Sequence, residues 1–169
     1  MTTAILVTCR TERWRTSLPG VEALGRRAAL AAIRGVAGRR LSGELGIVLA
    51  DDRFVRRLNR EYRGQDHPTN VLSFPLDRAA TVGDRLLGDV VLALGTLRRE
   101  ARQQRKTLRS HFLHLVVHGV LHLLGFDHDR SRAAKRMETL ERRILAGLGV
   151  DDPYAEKAVR PAAKARKPR

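Results

Sequence analysis

Residues 118–128 read His-Gly-Val-Leu-His-Leu-Leu-Gly-Phe-Asp-His, and they carry the strongest signal in the chain. Four helical residues advance the chain by about 400°, so His118 and His122 lie on one helical face, one turn apart. Gly125 can adopt the left-handed conformation that ends a helix, after which His128 can return to the same point. Three neutral imidazoles with an open fourth position are typical of a catalytic zinc site. The sequence therefore predicts one Zn²⁺ ion with three histidine ligands and water or substrate as the fourth.

The spacing of these histidines is that of the metzincin zinc proteases, with one difference. In those enzymes a glutamate directly follows the first histidine and acts as the general base, whereas this chain has Gly119 there. Met137 falls within a helical pattern and gives no Met-turn. We therefore expect a metalloprotease-like zinc helix without peptidase activity. The alternative is that the imidazoles fill an apolar helix face without a metal, but the helix-breaking glycine between the second and third histidine argues against it.

Two further histidines precede this segment. His114 lies one turn before His118 on the same face. Because a fourth protein ligand would close the site, we expect His114 to support a ligand or to pack beside it. The three-ligand plan does not need His111, which we expect to be a packed or solvated surface residue. Asp127 and Asp129 either orient an imidazole or cap the next helix.

The composition indicates a polyanionic partner. Among 169 residues, 33 Lys and Arg stand against 18 Asp and Glu, which gives a net charge of +15 and favours nucleic acid over a membrane. Aromatic residues make up 4% of the chain, so charge must carry more of the affinity than base stacking. The single cysteine, Cys9, excludes a disulfide framework and a cysteine-rich zinc finger. No stretch approaches the ~20 apolar residues of a membrane span, and we expect a cytoplasmic protein.

The hydrophobic patterns predict an α+β fold, with a mixed sheet of about four strands packed by about five helices. Asp51 is placed to cap a helix whose Phe54 and Tyr62 face inward. Residues 1–152 are expected to form a single catalytic, metal-binding domain. Residues 153–169, with six basic side chains and one acid, are expected to form a disordered basic tail. The predicted strands are 3–9, 44–50, 71–74 and 85–94, and the predicted helices are 21–34, 52–62, 96–125 with a break near Ser110, and 131–148.

A second segment, residues 58–75, reads Leu-Asn-Arg-Glu-Tyr-Arg-Gly-Gln-Asp-His-Pro-Thr-Asn-Val-Leu-Ser-Phe-Pro. It predicts a helix that ends in Arg-Gly, a polar loop and a short strand. Together with Leu-Gly-Asp-Val-Val at residues 87–91 and the histidine segment, it closely resembles the YbeY-type rRNA maturation family. This family is a group of single-domain, zinc-dependent endoribonucleases. The resemblance covers residues 44–148, with the motifs in the same order.

The resemblance implies a function and a set of site residues. His118, His122 and His128 would bind zinc, and Arg63 would be the functional arginine near the metal, so that His118 and Arg63 are the candidate catalytic residues. The substrate would be single-stranded RNA, notably rRNA precursors near the 3′ end of the small-subunit rRNA. The implied fold is a mixed sheet packed by helices. Phe126 stands where the family more often has Tyr, and the basic tail lies outside the family pattern.

The chemistry of these residues is compatible with RNA cleavage. Zinc on three histidines lowers the pKa of bound water and polarises a phosphoryl oxygen. Arg63 offers a planar, permanently charged fork to a phosphate, although by position alone it is equally a helix-terminal surface residue. The nucleophile can be zinc-bound water or an RNA 2′-hydroxyl. Asn70 and Ser73 are candidate substrate contacts that line a cleft, or else a turn residue and a sheet residue.

Basic residues crowd the segment before the histidines. Arg98 and Arg102 are candidate contacts to an RNA backbone, and the alternative is that they belong to a solvated helix face. The first functional hypothesis is thus a cytoplasmic, zinc-dependent endoribonuclease in rRNA maturation and ribosome quality control, acting on the small ribosomal subunit. The alternative is a ribosome-assembly binding factor with a mainly structural zinc site. A third hypothesis is that the chain is another metal-dependent hydrolase.

Overall fold

A computed structural model of the chain describes residues 3–36, 43–76 and 86–155. Within these residues it forms four strands and six helices, which confirms the predicted α+β class. In chain order the elements are β1 (Thr3–Cys9), α1 (Arg13–Ser17), α2 (Val21–Gly35), β2 (Gly43–Ala50), α3 (Asp52–Arg63), β3 (Val71–Pro75), β4 (Leu86–Ala93), α4 (Leu94–Gln103), α5 (Leu108–Leu123) and α6 (Ser131–Gly147).

The four strands form one mixed sheet in the order β1-β2-β4-β3. β1, β2 and β4 run parallel, and β3 pairs antiparallel with β4 at the edge of the sheet. Strands β2 and β4 are nearly continuous apolar runs, as expected of strands that are covered on both faces. The predicted mixed, four-stranded sheet is confirmed, and within the described residues the outer edge of β3 pairs with no further strand.

Helices cover both faces of this sheet. The main core packs α2, α5 and α6 against one face, with Ile47, Phe112 and Leu121 fully buried. A smaller cluster lies on the other face, where α3 places Val55 against Leu72 and neighbouring residues. Alternating residues of β2 and β4 supply the two clusters, because successive side chains of a strand point to opposite faces.

The helix predicted over residues 96–125 is two helices, and the break precedes Ser110. Helix α4 ends at Gln103 and α5 begins at Leu108. Thr107 caps α5, since its hydroxyl oxygen accepts a hydrogen bond from the Ser110 backbone N–H at 3.0 Å. Arg105, between the two helices, has a positive φ of 53°. The chain turns there, so that α5 enters the core as a separate helix.

Two aromatic residues depart from the sequence-based expectations. The short helix α1, which the apolar patterns do not predict, carries the fully buried Trp14. Its indole N–H donates to the backbone carbonyl of Ala50 at 2.8 Å. Tyr62 was expected to face inward but is 63% exposed, because it lies on the last turn of α3, where its ring packs edge-on against Phe74.

The end of the described chain packs on the folded body. The Lys106 ammonium donates to the Pro153 carbonyl at 2.9 Å, and the Tyr154 hydroxyl donates to Glu141. Residues 156–169, most of the predicted basic tail, lie outside the described residues, and the boundary after residue 152 stays a prediction.

None of the helices in the described ranges combines the length and apolar character needed to cross a membrane.

We expect Trp14→Phe to destabilise the fold by about 1–3 kcal/mol, because the buried Ala50 carbonyl loses its donor. Urea unfolding measures this. The control is Tyr62→Phe, which removes a polar group from an exposed ring and should change stability by less than about 0.5 kcal/mol. Equal stability of the two variants would contradict the role given to the indole hydrogen bond.

Candidate metal centre

Helix α5 holds the first two histidines of the predicted site. It is the most deeply buried helix of the fold, so its backbone is fixed by packing along most of its length. The rings of His118 and His122 lie one turn apart, with centroids 4.6 Å apart. Their Nε2 atoms point toward each other at a distance of 3.0 Å. The helical spacing therefore brings two potential ligand atoms to one point.

A glycine turn at the end of α5 leads the chain back toward this point. Gly125 has a φ of 91°, and its N–H donates to the His122 carbonyl at 3.0 Å. The Phe126 N–H donates to the Leu121 carbonyl, also at 3.0 Å, so the turn is a Schellman motif. The Phe126 carbonyl in turn accepts a hydrogen bond from His122 Nδ1 at 2.9 Å. One backbone turn thus ends the helix and orients a candidate ligand.

The third histidine, His128, completes the group of candidate ligands. The ring of His128 lies 5.7 Å from that of His118 and 5.0 Å from that of His122, measured between centroids. One nitrogen from each of the three residues lies within 4.8 Å of the others. Asp127 holds this turn, because its carboxylate accepts hydrogen bonds from the N–H groups of His128 and Asp129. Asp127 therefore stabilises the turn itself, and it does not cap the next helix, because α6 begins after Arg130 without a side-chain cap.

The hydrogen bonds of the outer nitrogens show that this group fits a metal ion. His118 Nδ1 donates to Glu141 Oε1 at 2.5 Å, and His122 Nδ1 donates to the Phe126 carbonyl. This assignment of protons leaves both Nε2 atoms as lone-pair acceptors that face each other at 3.0 Å. Two lone pairs in that position repel unless a cation lies against both. Burial, with the nearby His118 and His128 rings, lowers the pKa of His122, which favours the neutral, metal-binding form.

Glu141 is a site residue that the sequence reasoning missed. It lies on α6 and is fully buried, and it accepts hydrogen bonds from His118, from His114 Nε2 at 3.3 Å and from the Tyr154 hydroxyl. Burial alone would raise its pKa, but these three donors outweigh burial and lower the pKa to about 2. An ionised carboxylate behind a ligand histidine fixes the ring and increases its basicity. The signal was present in the sequence, since Glu141 follows Met137 by one turn on the apolar face of the predicted helix.

His111 and His114, which precede the candidate ligands in the sequence, have different hydrogen-bond partners. His114 packs beside His118, with ring centroids 6.2 Å apart, and contacts Glu141. His111 was expected at the surface, but it is only 3% exposed and its Nε2 lies 2.7 Å from a Glu100 carboxylate oxygen. Burial lowers the pKa of His111, although Glu100 acts in the opposite direction. Glu100 also accepts from the Asn70 side chain at 3.1 Å, so α4 and α5 together orient Asn70.

A cleft of about 520 Å³ opens in front of the histidines at the free edge of β3. Arg63 reaches it from the last turn of α3, which ends at Gly64 with a φ of 68°. The Ser73 hydroxyl, on β3, donates to the Gly119 carbonyl at 3.1 Å. Arg98 and Arg102 are exposed on α4 and do not line this cleft in the described part of the chain. Eight of the residues singled out in the sequence do line it: Arg63, Asn70, Ser73, His118, His122, Asp127, His128 and Asp129.

The position after His118, where metzincins carry their base, is closed to a side chain. A Cβ atom on Gly119 would lie 2.6 Å from Val90 Cγ1 and 3.2 Å from Ser73 Oγ. The helix therefore approaches the sheet too closely for a glutamate at this position. The absence of the peptidase base follows from the packing of α5 on β4 and β3.

Comparisons with known proteins agree with these motifs. A family model described as Endoribonuclease YbeY matches residues 21–149. A Paramagnetospirillum magneticum protein named Endoribonuclease YbeY is 52% identical over 148 residues, covering 85% of this chain and 90% of that protein. A protein of the same name from Alkalilimnicola ehrlichii is 50% identical over 143 residues, covering 83% of this chain and 85% of its own length. The solution structure of TM1509 from Thermotoga maritima superposes with a TM-score of 0.52 at 21% identity, covering 92% of this chain and all of that one, which supports the fold.

We expect Glu141→Gln to weaken Zn²⁺ binding by about 10- to 100-fold, because a neutral amide supports the His118 ring less well than a carboxylate. Competition with a chromophoric chelator measures the affinity. The control is Glu138→Gln on the same helix, whose carboxylate is partly exposed and pairs with Arg142. An unchanged zinc affinity in Glu141→Gln would show that the carboxylate only packs against the ring.

Proposed function

The chain belongs to the YbeY endoribonuclease family, and from that membership we propose that it is a zinc-dependent endoribonuclease that cleaves single-stranded RNA during rRNA maturation. The proposed substrate is precursor rRNA near the 3′ end of the small-subunit rRNA, within the small ribosomal subunit. The proposal also includes a role in ribosome quality control and a cytoplasmic location. The resemblance of the motifs and the net charge of +15 support an RNA partner of this kind.

One observation carries the proposal: three imidazoles and the Arg63 guanidinium line the same cleft. We propose His118, His122 and His128 as the ligands of one zinc ion, with the fourth position open to water or substrate. When bound there, zinc supplies Lewis-acid polarisation of a phosphoryl oxygen and a lowered pKa for bound water. Arg63 would bind two oxygens of the scissile phosphate and stabilise the charge that develops on them.

Asn70 and Ser73 are proposed substrate contacts that also line the cleft. The Asn70 side chain is held by Glu100 and by the Val71 N–H, which donates to its Oδ1 at 2.7 Å. Ser73 is held by the Gly119 carbonyl. Because both side chains are positioned by the protein before substrate arrives, they can orient a ribose or phosphate without losing much conformational entropy. An unpaired strand can turn its phosphate into such a recess, whereas a duplex is more rigid.

The test is cleavage of an oligonucleotide from the 3′ region of precursor small-subunit rRNA, with bound zinc measured in each protein. We expect Arg63→Ala to keep its zinc and to lose about 10²- to 10³-fold in kcat/KM, because charge stabilisation is lost. His118→Ala should lose both zinc and cleavage. Arg34→Ala, which removes an exposed charge from α2 at a position that does not line the cleft, should keep both.

Two outcomes would contradict the endoribonuclease proposal. Equal cleavage by all four proteins would indicate a contaminating nuclease. An inactive wild type that unfolds when zinc is removed would favour the alternative, a ribosome-assembly factor with a structural zinc site. Equal cleavage of single-stranded and duplex RNA would remove the strand preference from the proposal.

A further inference from the structure

Helix α3 carries a row of arginines that the site described above uses only at its end. Arg53, Arg56, Arg57, Arg60 and Arg63 each lie three or four residues from another member of the row, so they share one side of the helix. The opposite side packs on the sheet through the buried residues of α3. We call Arg53, Arg56, Arg57 and Arg60 the arginine track. It leads along the helix to Arg63, which lines the histidine cleft.

The surface over the track is concave. One hollow of about 390 Å³ is lined by Arg10, Arg53, Phe54 and Arg57, together with a few neighbouring residues. A second hollow of about 260 Å³ is lined by the arginine track and Asp66. Arg53 and Arg57 line both, so the two hollows adjoin along the helix. Over the 12 residues of α3 this surface extends roughly 18 Å, at 1.5 Å per residue.

An aromatic ring lies at the far end of the track. The guanidinium carbon of Arg10 lies 4.1 Å from the centroid of the Phe54 ring, and that of Arg57 lies 5.3 Å from it. Phe54 is only half-buried, so part of this arrangement faces solvent. Aromatic rings and guanidinium planes both stack on unpaired bases, and the same guanidinium can also meet a phosphate. This end of the track therefore offers contacts to a base as well as to the RNA backbone.

The charge of the track is balanced only in part. Asp66 pairs with Arg56 through two contacts of 2.9 Å and lies 3.9 Å from Arg60. The hydrogen bond from Arg56 lowers the pKa of Asp66, so the carboxylate is ionised. Both arginine side chains are more than half exposed, at 56% and 64%, and ion pairs of such exposure contribute little to stability. A phosphate group can therefore replace Asp66 as their partner.

We propose that the arginine track binds the backbone of single-stranded RNA on its way to the histidine cleft, with an unpaired base stacked at Phe54. This inference rests on the proposed function, because the track leads to the cleft in which we propose that RNA is cleaved. Charge complementarity selects a polyanion, and the partly exposed ring beside two guanidiniums selects one with accessible bases. The track thus extends the substrate-binding surface over the face of the sheet that α3 covers.

The first test compares two double variants that each remove two positive charges. Arg53→Gln/Arg57→Gln alters the track, and Arg26→Gln/Arg136→Gln removes exposed charges from α2 and α6, on the other side of the sheet. Binding of a labelled single-stranded RNA is measured by anisotropy over a range of salt concentrations. For the track variant we expect the slope of log K against log salt to become shallower by about 1.4, since each lost phosphate contact contributes about 0.7. The control variant should keep the wild-type slope, and equal slopes for the two variants would overturn the proposal.

The second test separates stacking from charge. Phe54→Leu keeps an apolar side chain against the sheet but removes the ring, so we expect about tenfold weaker binding of single-stranded RNA at an unchanged salt slope. Binding of poly-glutamate, which has charge but no bases, should be the same in Phe54→Leu and wild type. If Phe54→Leu binds RNA as wild type does, or if wild type binds poly-glutamate or duplex RNA as tightly as single-stranded RNA, the proposed occupant is wrong.

Oligonucleotide length distinguishes this inference from the proposed function. A short oligonucleotide that fills only the cleft should be cleaved equally by wild type and Arg53→Gln/Arg57→Gln. A longer one that also covers the track should show a raised KM and an unchanged kcat in the variant. If the wild type binds long RNA through the track but cleaves no RNA, the proposed activity is wrong and the arginine track is still supported. Cleavage with the same KM in both proteins, at every length, would contradict the track alone.

Discussion

The hydrogen bond between His118 Nδ1 and Glu141 joins the site to the fold. It connects α5 to α6, and it decides which nitrogen of His118 faces the cleft. Glu141 is ionised although it is fully buried, because three donors surround it. A buried charge of this kind is costly when one partner is removed, so the packing of α6, the position of Tyr154 and the geometry of the histidines depend on one another. The site is therefore held by the interior of the protein and not by its loops alone.

Much of the fold followed from the sequence, because apolar periodicity and helix-ending glycines are local signals. The strands, the mixed sheet and the Schellman turn at Gly125 are of this kind. The short helix α1 was missed, because Trp14 is buried by contacts with residues far along the chain and not by a periodic pattern. The prediction that His111 lies at the surface was wrong for the same reason, since its hydrogen-bond partner Glu100 belongs to a different helix.

The positions of the basic residues also could not be predicted from the sequence alone. Charge counts drew attention to Arg98 and Arg102, which precede the histidines in the sequence but do not line the histidine cleft within the described residues. The arginines of α3 stand further away in sequence, yet the last of them, Arg63, lines the cleft together with residues of β3 and α5. Distance along the chain therefore does not measure distance from the cleft, and the role of Arg98 and Arg102 as contacts to an RNA backbone stays a prediction.

The close approach of Gly119 to Val90 and Ser73 also bears on how this fold can change over time. A single nucleotide substitution can turn a glycine codon into a glutamate codon, and here that change would complete the metzincin motif. The new side chain would press into the Val90 side chain on β4, and overpacking of this kind typically costs about 1–3 kcal/mol. The two motifs are therefore neighbours in sequence but are separated by the volume that a side chain would need between α5 and β4.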